Sequence, residues 1–88
     1  MSEFEKISLK LKELECLKNA LECVLTDELL KMEEPGLIEL IETVLEFVEN
    51  YIKKLEVRKK ILEFEELEKK AEEIEKQKKS SEHIKEDL

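Results

Sequence analysis

Along the first third of the chain apolar residues recur as Phe4, Ile7, Leu11, Leu14, Leu17, Leu21, Val24, Leu25, Leu29 and Met32, the three/four spacing of one helix face. Lys18 is the only plainly polar member of that seam. Ser2 to Glu5 read S-E-F-E, a capping box in which the Ser oxygen accepts from an early amide and the Glu reaches back. A helix over about 3–33 is predicted. Thr26 and Asp27 are residue types that can cap a separate short helix, but with no Gly or Pro beside them the pattern reads through. Glu34, Pro35 and Gly36 then form a turn, because Pro disfavours helix at the residue before it and Gly permits a sharp change of direction.

The second pattern runs Leu37, Ile41, Val44, Val48, Tyr51, Leu55 and Leu62, widened by Ile38, Leu40, Leu45, Phe47 and Ile52, and predicts a helix over about 37–78. In an antiparallel pair of helices, facing residues have numbers of constant sum. A sum of 69 sets Met32 against Leu37, Leu25 against Val44, Leu21 against Val48, Leu14 against Leu55 and Ile7 against Leu62. It also lays the Lys18 stem along the Tyr51 ring, with the ammonium in water. By this register the first helix covers the second only as far as about Glu65, and more than 20 residues of the chain lie beyond it. Past Leu55 the apolar stripe moves to a rotated face, Val57, Ile61, Phe64, Leu67, Ala71 and Ile74, which implies a contact with a second subunit or with a different protein. The last residues are nearly all polar, so fraying is expected from about Lys78, leaving a hairpin domain over 1–79 and a polar tail over 80–88.

A further stripe on the first helix, Leu9, Cys16, Cys23 and Leu30, is spaced by seven with Ala20 beside it. Together with the first stripe it makes roughly 220° of the helix apolar, more than one partner helix covers. Its residue numbers pair with a constant sum of 39, so a twofold axis between Asn19 and Ala20 satisfies the stripe and sets Lys12 against Asp27 and Lys6 against Glu33 of another copy. The competing reading packs this stripe under the chain's own C-terminal segment. The expected fold is all-α: an antiparallel, coiled-coil-like helical hairpin with a long overhanging second helix, assembled as a dimeric four-helix bundle. Leu9, Cys16, Ala20, Cys23 and Leu30 are its expected self-association residues.

Composition supports this picture. Charged residues make up 45% and hydrophobic residues 41%, with one Gly and one Pro among 88 residues, the usage of long helices rather than of a sandwich or an α/β enzyme. A chain this short buries only about 60% of its unfolded surface, so a partner copy would help it. The net charge of −8 argues against general binding to nucleic acid or anionic membrane. Lys far outnumbers Arg and Glu far outnumbers Asp, a usage like that of hyperthermophiles. The charged opening MSEFEKISLK lacks the apolar core of a signal peptide, and no run approaches the ~18 apolar residues of a membrane span. A cytoplasmic protein without membrane contact is expected.

Candidate chemistry is sparse. Cys16 and Cys23 lack CxxC spacing, and ~10.5 Å of helical rise separates them, too far for a bridge within one helix. Across the proposed dimer they would face each other, so intermolecular disulfides stay open beside a role as small hydrophobes. The single His, His83, is preceded at Glu-x-x-His spacing by Ser80, which removes the di-iron bundle motif. No phosphate loop, nucleophile triad or zinc spacing occurs. No catalytic residue, metal or cofactor is expected, and the protein is read as non-enzymatic.

Charge is uneven. Asp27 to Ile52 holds eight acids and one Lys, whereas Lys53 to Lys60 holds five bases and Glu56. Glu39, Glu42, Glu46 and Glu49 share a face, either simply solvated or a docking stripe for a basic protein. Ile61, Phe64, Leu67, Ala71 and Ile74 are the apolar candidates for partner docking. The expected function is self-association and protein-protein interaction, as an adaptor, scaffold or regulator. The alternatives are an acidic inhibitor or mimic that binds a basic nucleic-acid-handling protein, and a helical-hairpin dimer that associates with RNA or DNA. Against the last stand the lack of stacking aromatics and the acids around KKLEVRKK.

Overall fold

The structure is a computed structural model that describes the backbone of residues 1–86 and the side chains through Lys78. Among the described residues there is no strand, and three helices follow in order: α1 (Glu3–Leu25), α2 (Glu28–Glu33) and α3 (Pro35–Glu86). Ser2 caps α1 as the sequence predicts, its Oγ accepting from the Glu5 amide at 3.1 Å, with Glu3 and Glu5 in the positive first turn.

The expectation of one unbroken helix over 3–33 is corrected at Thr26 and Asp27. The Thr26 hydroxyl donates to the Cys23 carbonyl at 2.7 Å and the Asp27 carboxylate accepts from the Leu30 amide at 3.1 Å, so one residue closes α1 and the next opens α2. Side-chain bonds of this kind offer the backbone an alternative to the helical ladder, and they break a helix without Gly or Pro. The turn is also tighter than expected. Only Glu34, at φ −135° and ψ 67°, stands outside a helix. Pro35 opens α3, a position where its missing N–H costs nothing, and Gly36 lies within that first turn with an ordinary φ.

α1 packs along the first part of α3 in the opposite direction. The buried and half-buried positions of α1 are Ile7, Leu11, Leu14, Lys18, Leu21 and Leu25, joined by Ser8. On α3 they are Ile38, Ile41, Leu45, Val48, Ile52, Leu55, Lys59 and Leu62, joined by Glu49. Both lists alternate steps of three and four without a gap, the pattern of knobs-into-holes packing. This corrects the seam read from sequence for α3: Leu37, Val44 and Tyr51 lie beside the seam, exposed, while Ile38, Leu45 and Ile52 take their places. Two apolar series one residue apart share Ile41, Val48 and Leu55, and a constant-sum rule alone does not separate them.

The core is thin. Among the described residues only Ile7, Ile38, Val48 and Ile52 are buried, and Ile52 at 5% exposure is the most enclosed of them. α3 stays helical past Lys78, the expected start of fraying, through Glu86. The side chains of the expected polar tail, 80–88, lie outside the described residues. The long axis of the molecule measures 84 Å against 19 Å and 16 Å across, the shape of a rod one or two helices thick.

Candidate interaction surfaces

At one end of the packed region, Arg58 of α3 is tied to Glu3 of α1. Its Nε and Nη2 both donate to Oε1 of Glu3, at 3.0 and 2.8 Å. The hydrogen bond to Glu3, and then the attraction of that carboxylate, raise the Arg58 pKa above its ordinary value. Beside this pair the Lys59 ammonium sits 5.4 Å from the centroid of the Phe4 ring, a cation–π contact. Two of the five bases in the stretch from Lys53 to Lys60 are thus engaged within the chain, which reduces what the cluster offers a nucleic acid.

Steps of seven from Glu3 and Arg58 run toward the turn as Lys10, Leu17 and Val24 on α1 and Tyr51, Val44 and Leu37 on α3. A step of seven returns to the same helix side, so these residues share one flank of the seam. Leu17, Val24, Leu37, Val44 and Tyr51 are between 36% and 47% exposed. Leu40 and Phe47 lie next to them on α3, farther from α1, at 60% and 71%. The sequence pattern places Leu37, Val44 and Tyr51 inside the seam and so misses an apolar flank. The unbroken spacing of Ile38, Ile41, Leu45, Val48, Ile52 and Leu55 is the signal that exposes it.

The opposite flank carries charges of both signs. Glu15, Glu49 and Glu56 line a groove there with Lys18, Lys53 and Ile52. Lys18 is half-buried and lines this groove with the three carboxylates. Of the four-Glu stripe, Glu39, Glu42 and Glu46 are exposed and Glu49 is half-buried in this groove.

The stripe expected to join two copies is only partly aligned. Leu9, Cys16, Ala20 and Cys23 are exposed on α1, and both cysteines are free. Leu30 belongs to α2, beyond the break, and is half-buried. On the overhang Ile61, Phe64, Leu67, Ala71 and Ile74 are all exposed. Two shallow depressions lie along it: one is lined by Val57, Lys60, Ile61, Phe64, Glu65 and Glu68, the other by Glu63, Glu66, Leu67, Lys70 and Phe4 of α1.

Among the described residues no group of three or more His, Cys, Asp or Glu side chains is placed to hold a metal ion. Nor is any described helix long and apolar enough to cross a membrane. Comparison with protein-family models, with curated proteins and with solved structures finds no match to this chain. Function is therefore read from the surfaces themselves.

Proposed function

We propose that the chain is a non-enzymatic helical-hairpin protein that works through self-association and protein-protein interaction, as an adaptor, scaffold or regulator. One observation carries the reading: the surface left bare. The chain exposes 7552 Å² at a mass of 10.5 kDa, where the scaling for compact monomers gives roughly 5,400 Å². The excess, roughly 2,100 Å², is larger than the ~800 Å² per partner of a standard interface. Large apolar side chains stand in water on the flank, at Leu40, Val44, Phe47 and Tyr51, and along the overhang, at Ile61, Phe64, Leu67 and Ile74, and exposed apolar residues grouped in this way mark interaction sites.

The two surfaces divide the work in this reading. The flank pairs copies of the chain, and the overhang, projecting from the packed region, takes a different protein. Sedimentation of the purified chain tests the first half. Affinity capture with nuclease treatment tests the second, since it separates protein partners from those bridged by nucleic acid. A monomer that captures nothing after nuclease treatment would overturn the proposal.

The groove of Glu15, Glu49 and Glu56 favours one alternative, an acidic inhibitor of a basic nucleic-acid-handling protein. Carboxylates from both helices converge there, although Lys18 and Lys53 stand among them and weaken the field.

A further inference from the structure

We infer that a second copy of this chain covers the neutral flank of α3, antiparallel to the first, about a twofold axis at Val44. This rests on the self-association reading and names the surface and the geometry it uses.

Between Gly36 and Tyr51 the charged residues of α3 are Glu39, Glu42, Glu46 and Glu49. At about 100° per residue all four fall within a strip of roughly 80°. The seam against α1 takes part of the remaining circumference. What is left spans roughly 140° and about four turns without a charge. Leu40, Val44, Phe47 and Tyr51 run along it, with Thr43 and Asn50 at its edge. In a chain that is 45% charged, a neutral surface of this extent calls for a cover. Depletion of charge is also what distinguishes the centre of an interface from other protein surface.

The face fits itself. With α3 against its antiparallel copy at a constant sum of 88, Val44 meets Val44, Leu37 meets Tyr51, and Leu40 lies one residue from register with Phe47. Just past the ends of the face, Lys54 of one copy meets Glu34 of the other. A parallel copy would instead place two acid-rich tips side by side, each holding eight acids and one Lys between Asp27 and Ile52. Charge therefore selects the antiparallel direction. The same axis brings Leu17 of α1 against its own copy. Lys10 and Glu13, the charged residues nearest Leu17 on that side of α1, lie 4.0 Å from each other.

The outer stripe of α1 is a weaker candidate for the same role. Leu9, Cys16 and Cys23 form a narrow line with Ala20 beside it, bounded by Lys12 on one side and Glu13 on the other. In the dimer around Val44 the four glutamates face away from the partner, and the two overhangs point to opposite ends.

A residue on a twofold axis meets itself, which gives a direct test. Val44→Cys in a chain carrying Cys16→Ser and Cys23→Ser is oxidised and run without reductant. A disulfide-linked dimer is expected. In sedimentation at tens of micromolar, Phe47→Glu is expected to be monomeric, with helicity checked by circular dichroism, and Ala20→Glu to remain dimeric. If Phe47→Glu loses its helicity, the cross-link alone decides. A monomeric unmodified chain would sink both this inference and the self-association reading. A dimeric unmodified chain in which Val44→Cys fails to cross-link would sink this face alone, and dissociation by Ala20→Glu would then assign the contact to the outer stripe of α1.

Discussion

Glu3 and Arg58, fifty-five residues apart, are joined by two hydrogen bonds to a single carboxylate oxygen, the longest-range side-chain hydrogen bonds among the described residues. The pair is exposed, with about half of each side chain in water, so it contributes little to stability compared with the apolar seam. It marks the register and side that the seam sets, because it lies at one end of the ladder that continues through Leu17 and Val44.

Reversing either partner alone, as Glu3→Arg or Arg58→Glu, is expected to lower the melting temperature slightly. The double reversal should restore it, and raising salt should shrink the differences. The raised Arg58 pKa gives the sign of the pH dependence. Its stabilisation is fully present below the ordinary arginine pKa and lost as pH rises through the higher folded value. No loss from Arg58 is therefore expected anywhere in the neutral range, and thermal melts from about pH 6 to about pH 9 check this.

The position of the seam predicts a contrast between neighbours. Ile52 is nearly enclosed, so Ile52→Ala should cost about 2–4 kcal/mol, at the lower end for a buried aliphatic because a two-helix core collapses easily. Tyr51→Ala should change the stability of the isolated chain far less and weaken dimerisation instead. Denaturant melts at low concentration, paired with sedimentation, distinguish the two. A larger stability loss from Tyr51 than from Ile52 would restore the seam read from sequence.

Asp27→Ala removes the acceptor that holds the Leu30 amide, and loss of such a cap costs about 1 kcal/mol. The effect should be confined to α2, where amide exchange at Glu28 to Lys31 is expected to quicken while α1 and α3 keep their protection. Equal exchange in the two proteins would mean that α1 and α2 form one helix.

These cases show what sequence carries here. Helical periodicity, the Ser2 cap and the break at Pro35 are local signals, and they place the starts of α1 and α3 to within two residues, whereas α3 runs on to Glu86, past the expected end near 78. The break at Asp27 is visible only as residue type, since whether a Thr or Asp side chain turns onto the backbone depends on competing ladder bonds. For α3 the ambiguity is geometrical: a helix apolar over most of its circumference from Leu37 to Ile52 offers several stripes, and packing against α1 picks one. The flank around Val44 is illegible for that reason, because its residues pass for core. Leu9, Cys16 and Cys23 are legible as a stripe, but Leu30 leaves it where the helix breaks.

The overhang separates assembly from recognition. Truncation after Glu66 removes Ala71 and Ile74, which no described element of this chain covers, and Leu67, which is exposed and shares only a shallow depression with Phe4. The dimer around Val44 leaves the overhangs apart, so sedimentation of the truncated chain should match that of the intact chain in state of association. Capture of a partner protein should be lost. Dissociation on truncation would assign the overhang stripe to self-assembly.

The acidic side yields a prediction about rate. Glu39, Glu42 and Glu46 face solvent, whereas Glu49 is half-buried beside Lys18, so the first three can become Gln with the helix and its packing intact. If a basic protein docks on this side, exposed charges of this kind act mainly by speeding encounter, over roughly 8 Å at physiological salt. The triple change should then slow association several-fold at low salt and hardly at all near ~1 M, where screening shortens the range to about 3 Å. Dissociation should change little, since the affinity would come from an apolar anchor that the substitutions do not touch. Stopped-flow association with the captured partner measures this. Equal rates at low salt would reduce the acidic stripe to a solvated helix face, and with it would go the reading of the chain as an inhibitor of a basic protein.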